Sequence, residues 1–345
     1  MKLSVHVAVV ACAGVSALAE PPPVPWPKPY LIVEAWKDRQ WVSDLYVYDL
    51  TGREIKRLTP TLLPTCRIIA VSPDGAEIAF EANAMASYVL SLRHDALWPL
   101  HTGRTPCAAF SRNGNSVAYL GSSFLDPHEQ VIRIVGQRRQ EKQVREDVAD
   151  LLFAPGDEDL LATVWHDNRA SVRLIDPASD RQESVLDDEQ HSYFLQSVSP
   201  NDPKVLVIAR DLRTKMDALV AVDWPSRRLQ TLRTFPARRP IYNAEYSRDG
   251  KRILLFADRI LVLMDGKGEN MGGISEAAPT TEGPVRPEGC GPVMKSRRGF
   301  LSVGRNYAAY IGAGGKLISV VDMQRSEINE VTLSGTQLRH VYIVD

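Results

Sequence analysis

Val71-Ser72-Pro73-Asp74-Gly75-Ala76-Glu77-Ile78-Ala79-Phe80 holds the key to the architecture of this chain. It reads as the end of one strand, a tight turn and the start of a second strand. Pro73 pre-sets φ for the first central turn position, Asp74 tolerates the bent second position, and Gly75 supplies the positive φ that reverses the chain. Variants recur at Phe110-Ser111-Arg112-Asn113-Gly114 before Val117-Ala118-Tyr119, and at Tyr246-Ser247-Arg248-Asp249-Gly250 before Ile253-Leu254-Leu255-Phe256. Looser copies are Phe153-Ala154-Pro155-Gly156-Asp157, Val198-Ser199-Pro200-Asn201-Asp202 and Leu301-Ser302-Val303-Gly304-Arg305, each followed by an apolar run. The serine-equivalent positions 72, 111, 154, 199, 247 and 302 are spaced by 39, 43, 45, 48 and 55 residues. Short strands at a period of roughly 40–50 residues are the signature of propeller blades, which bury their faces only by stacking around an axis.

Composition agrees. The 22 Gly and 23 Pro are dispersed among turns, and apolar runs of about four to seven residues replace long amphipathic helical patterns. The expected fold is therefore an all-β, seven-bladed propeller of four-stranded blades, with six blades as the alternative if the poorly matching sixth or seventh unit is incomplete. Tyr30–Trp36, Asp44–Asp49 and Glu54–Leu58 give the opening blade only three strands. Leu338–Val344 lies at the other end without a following partner and supplies the missing one, so the two chain ends share a sheet and remove the open edge. Asp49, Asp176, Asp223, Asp265 and Asp322 each close the third strand of a unit. A short carboxylate there caps the next turn, and its repetition points to structure rather than catalysis.

These repeats carry a resemblance. Ser72-Pro73-Asp74-Gly75 followed by Ile78-Ala79-Phe80, third strands ending in Asp, and outer strands such as Glu54-Ile55 to Arg57-Leu58-Thr59 resemble the TolB-like, WD-like propeller repeats, TolB being periplasmic. Similar repeats form the propeller domains of prolyl-oligopeptidase-type peptidases. The resemblance spans residues 30–344 as a repeat pattern; it implies the fold and leaves the function open.

Met1-Lys2, the apolar run Leu3–Val15 and Ala17-Leu18-Ala19 before Glu20 read as a secretory signal peptide over residues 1–19. A Pro-rich spacer, residues 20–29, precedes a single propeller domain over residues 30–345. The expected location is periplasmic or secreted; Val9-Val10-Ala11-Cys12 offers lipid anchoring through Cys12 as the alternative. No later segment has the roughly 20 apolar residues of a membrane span. The formal net charge is −1, with Lys and Arg interspersed among acids, which argues against a nucleic-acid partner.

No nucleophile elbow, zinc-protease helix, phosphate loop or calcium loop stands in the chain, and neither cofactor nor metal is expected. Cys66 and Cys107 enter the first strands of adjacent units, so a disulfide between them is a candidate pairing. The candidate polar site gathers His166, Asp167 and Arg169 after a second strand, His191 in the link to the next unit, and Asp126 and His128 in the equivalent loop of the neighbouring unit, all expected at one end of the ring. Gly266–Pro292 is the longest irregular segment and reads as a surface insertion. The expectation is a monomeric, non-catalytic scaffold that presents loops to a protein or peptide; the alternative is a propeller lyase or lactonase with an axial metal.

Overall fold

The computed structural model describes residues 24–37, 43–59, 66–83, 85–122, 130–136, 140–144, 147–179, 181–224, 226–237, 240–257, 260–274, 301–311, 317–333 and 336–345. Among them, β1 (Tyr30–Lys37), β2 (Ser43–Asp49) and β3 (Glu54–Arg57) open the chain. The second blade is β4 (Cys66–Val71), β5 (Glu77–Ala82), β6 (Ala86–Ser91) and β7 (Ala96–Thr102); the third is β8 (Ala108–Phe110), β9 (Ser116–Ser122), β10 (Gln130–Gly136) and β11 (Gln140–Val144). The fourth is β12 (Asp147–Phe153), β13 (Leu160–His166), β14 (Arg169–Ile175) and β15 (Gln182–Leu186); the fifth is β16 (His191–Val198), β17 (Lys204–Asp211), β18 (Asp217–Asp223) and β19 (Arg228–Phe235). The sixth is β20 (Ile241–Tyr246), β21 (Arg252–Ala257), β22 (Ile260–Asp265) and β23 (Asn270–Ile274); the seventh is β24 (Leu301–Val303), β25 (Tyr307–Ile311), β26 (Leu317–Asp322) and β27 (Glu327–Thr332). The last strand, β28 (Thr336–Val344), pairs antiparallel with β1 and completes the first blade in the order β28-β1-β2-β3. The protein is a seven-bladed β-propeller, and the sixth blade has the outer strand that its sequence scarcely signals.

The ring closes through the expected pairing of the two chain ends, with Leu31 opposite Ile343 and Val33 opposite Val341. All four side chains are fully buried, in a layer shared with Ala309, Ile318 and Val320 of the seventh blade. The other clusters alternate with the sheets in the same way, one layer between each pair of blades. In the layer between blades one and two, Ile32 and Val47 meet Ile68, Ile78 and Phe80. The strands' alternating pattern makes this possible, since successive side chains face opposite neighbours.

Each sheet is a simple meander, so its connections alternate between the two ends of the ring. The first-to-second and third-to-fourth turns lie on one end, called here the turn face. The second-to-third loops and the links between blades lie on the other, the loop face. On the turn face Gly75, Gly114 and Gly250 have φ of 73°, 73° and 66° and donate their N–H groups to Ser72, Ser111 and Ser247 carbonyls. A side chain at position 75 would also strike Val344, 2.5 Å from a Cβ placed there. Within the turn, Asp74, Asn113 and Asp249 each accept from the serine hydroxyl and from the N–H two residues on. The seventh-blade turn, Gly304 to Tyr307, is two residues shorter than Ser72 to Glu77 and carries no such acceptor of its own. Asp345 supplies it from the end of β28, accepting from the N–H groups of Arg305, Asn306 and Tyr307 at 2.6, 2.6 and 3.0 Å. Any side chain on residue 304 would collide with that carboxylate. The five aspartates that close third strands also cap turns as expected: Asp49, Asp176, Asp265 and Asp322 accept backbone N–H groups of the following turn, and Asp223 holds Ser226.

The inner strands carry a second regularity. Bulges interrupt their register between Ile68 and Ala70, Val148 and Asp150, Leu195 and Ser197, and Ile241 and Asn243. In all four, the N–H of the residue opening the bulge is received by a side chain of the preceding blade: Glu34 for Ile68, Gln130 for Val148, Thr163 for Leu195 and Asp217 for Ile241. A bulge disturbs the ladder locally, and a buried N–H must find an acceptor.

The Pro-rich segment is attached rather than a free spacer over its described part. Trp26 meets the Tyr30 ring edge-on at 5.8 Å, and Val24 and Trp26 pack against the layer between blades one and two. The predicted Cys66–Cys107 pairing needs correction. Cys66 belongs to the layer between blades one and two and Cys107 to the layer between blades three and four, so two sheets stand between the thiols. Burial pushes the Cys66 thiol up to about 12, which makes it an inert core group. Residues 1–23, with the expected leader and Cys12, lie outside the described residues, as do residues 275–300 of the Gly-, Pro- and Thr-rich segment.

Thr163 is 2% exposed and isosteric with valine. Replacing it by valine leaves the Leu195 N–H without its acceptor and is expected to cost about 1–3 kcal/mol, read from chemical denaturation, with Thr163→Ser close to wild type. Asp345→Ala is expected to destabilise the protein by about 1–2 kcal/mol and to raise amide exchange first at residues 304–307.

Candidate functional site

The loop face carries the polar residues singled out from the sequence. His166 ends β13, and Asp167 and Asn168 form the hairpin tip with φ of 47° and 64°. His166 and Asp167 pair with each other at 3.0 Å and project into solvent, 70% and 88% exposed. Arg169 begins β14 and turns the other way. Its guanidinium donates to the Asp188 carbonyl and bridges to the Asp187 carboxylate at 3.0 Å. Asp188 then gathers the start of the fifth blade. Its carboxylate meets His191 Nδ1 at 3.0 and 3.2 Å, accepts the N–H groups of Gln190 and His191 at 2.8 Å each, and accepts the Tyr193 hydroxyl.

The structure thus joins Arg169 to His191 through two acids that sequence reading passed over. It leaves His166 and Asp167 apart at the hairpin tip. Asp126 and His128 lie outside the described residues. Asp187-Asp188 immediately before an inner strand was the available signal, since Asp accepts N–H groups two and three residues on. Partial burial opposes ionisation of Asp188, but the bonds from Tyr193, Gln190 and His191 outweigh it and hold its pKa below the usual carboxylate range. Burial first, and Asp188 second, raise the Tyr193 hydroxyl well above its ordinary value. A carboxylate so fully engaged by donors orients a loop; it has little capacity left as a base or nucleophile.

Arg169 has counterparts in other blades. Where the third strand begins, Asp44 binds Thr59 and Arg57, and Ser87 lies against Thr105. Asp217, 1% exposed, takes a two-bond clamp from Arg210 at 2.7 and 2.9 Å and the Ile241 N–H. In each case a residue at the start of the third strand fastens the link to the next blade. The loop face is therefore a set of pinned links with exposed tips between them. Met85 at 57% and Met216 at 41% exposure occupy two of those tips. Among the described residues, no three His, Cys, Asp or Glu side chains converge as a metal-binding group.

No family model matches the chain, and no curated protein matches it. Solved structures do. TolB from Acinetobacter baumannii superposes with a TM-score of 0.51 at 11% identity, covering 92% of this chain and 83% of that one. The β-propeller domain of Cps50 (Swd1) from Myceliophteria thermophila gives 0.54 at 12%, covering 78% and 85%. An oligogalacturonate lyase in complex with manganese gives 0.57 at 10%, covering 78% and 79%. The chain has a TolB-like and WD-like propeller fold. At such identities the likeness speaks for the fold alone.

Asp188, depressed in the folded state, contributes stability that is present above the unfolded value of about 4 and is lost as pH falls through the folded pKa. Acidification into that window should therefore raise amide exchange at residues 187–193 before the other blades loosen. Asp188→Asn should remove the acid dependence of that local exchange.

Proposed function

We propose that this protein is an exported, TolB-like propeller that binds a protein or peptide partner on its loop face and acts as a scaffold rather than a catalyst. The observation that carries this reading is the division of labour on that face. The polar groups at its base, Arg169 with Asp187 and Asp188, Arg210 with Asp217, and Asp44 with Thr59, are spent on holding the links. The tips, with Met85, Met216 and the His166–Asp167 pair, stand clear of them. A rigid base with exposed methionine and charged tips suits recognition, because methionine adapts to an irregular partner and a pinned base limits the entropy lost on binding. Export rests on the leader-like residues 1–19 and on the likeness to TolB. No helix among the described residues is long and apolar enough to cross a membrane. A second reading, lyase chemistry with an axial metal, is favoured by the likeness to the manganese-bound oligogalacturonate lyase.

Site-specific photo-crosslinking in the native envelope fraction separates the possibilities. A crosslinking side chain at Met216 should capture a discrete partner, and one at Arg53, exposed on the turn face, should not. Capture from Arg53 alone, or stoichiometric metal in the purified protein together with cleavage of an oligogalacturonate, would overturn the scaffold reading.

A further inference from the structure

On the turn face, opposite the loops, Arg248 reaches from the sixth blade across the seventh to the first. Its guanidinium donates to the Ile343 carbonyl of β28 at 2.9 Å, and its own N–H binds Gly304 in the seventh blade. Inner strands surround the axis, so a side chain spanning blades six and one lies over the mouth of the axial channel. Lys28, in the segment before β1, comes to the same mouth and makes one long contact, 3.5 Å, to the Asp74 carbonyl. Tyr30 sits beneath them with its hydroxyl 3.4 Å from the Gly75 carbonyl.

The acids in reach, Asp74, Asp345 and Glu245, are committed elsewhere; Glu245 accepts from the Asn243 amide and the Val303 N–H at 3.2 Å each. Asp74 is bonded to Ser72, to the Ala76 N–H and to Arg93. Asp345 holds three backbone N–H groups of the seventh blade. Among the described residues, neither Lys28 nor Arg248 forms an ion pair. Arg248 is half-buried, and none of its nitrogens is both enclosed and without a partner, so the donors not bound to Ile343 keep some access to solvent.

We propose that Arg248 and Lys28 form a binding site for a small oxyanion, a phosphate or carboxylate group, at the turn-face mouth of the axial channel. A planar guanidinium with free donors matches an oxyanion two bonds at a time, and an ammonium beside it adds a point charge. The electrostatics agree. Lys28 is exposed, yet partial loss of solvation first, and the Arg248 charge second, lower its pKa, and loss of solvation is likewise the main cause that lowers that of Arg248. A bound anion relieves both costs. The site is independent of the loop face and does not rest on the scaffold reading.

Calorimetric titration of the full chain with inorganic phosphate, and separately with acetate, at ionic strength matched with sodium chloride tests the site. Saturable one-to-one binding of either anion is expected, and the tighter of the two assigns the headgroup. Arg248→Gln should weaken it at least tenfold and Lys28→Gln several-fold, while Lys56→Gln on the outer strand β3 should leave it unchanged. Lys28 lies outside every strand, so its variant carries the test if Arg248→Gln does not fold. No saturable binding to the wild type, or equal losses in Lys28→Gln and Lys56→Gln, would overturn the proposal.

Discussion

Everything in this ring depends on the pairing of β28 with β1. A four-stranded blade on its own exposes two apolar faces, and it buries them only when neighbours stand on both sides. A linear array of such blades would leave its first and last members half bare. By lending its last strand to the first sheet, the chain makes the two terminal blades neighbours. Leu31, Val33, Val341 and Ile343 then fill the same layer as Ile318 and Val320. The closure is fastened on the turn face as well. Asp345 supplies the acceptor that the short seventh-blade turn does not contain, and Arg248 reaches across to Ile343.

A second requirement, satisfying buried backbone, explains where the polar residues went. Inner strands bulge, and acceptors from the preceding blade receive the N–H groups concerned. Glu34, Thr163 and Asp217 are 1%, 2% and 1% exposed. Buried polar residues of this kind resemble a binding site, yet each has a backbone partner that accounts for it. Arg169 and His191 share this fate through Asp187 and Asp188. Chemistry toward an outside molecule is left to groups whose donors are not already spent, namely the exposed loop tips and the two cations at the opposite mouth.

The fold was legible because turn chemistry is local. Pro73-Asp74-Gly75 states its own backbone conformation, and five echoes of it, spaced by 39 to 55 residues, state the repeat, to which the blade shared by the two chain ends adds the seventh. The pairing of the last strand with the first followed from the need to seal an edge. The sixth blade's outer strand, Asn270–Ile274, was hard to see because Gly272 and Gly273 give it little strand propensity. The site was far less legible. Which residues meet across a blade boundary depends on packing between segments distant in sequence, as with Glu34 and Ile68 or Arg248 and Ile343. Cys66 and Cys107 illustrate the same limit: adjacent units were correctly assigned, but strand position alone did not say that the two side chains point into different layers.

If one strand seals the whole ring, native-state hydrogen exchange followed by mass spectrometry will show it, with peptides covering residues 30–36 and 338–344 compared with inner and middle strands of the other blades. Both terminal peptides should be protected like the core and open with the same free energy as global unfolding. Rapid exchange of residues 338–344, while the seven sheets otherwise stay protected, would mean that the ring holds without that strand.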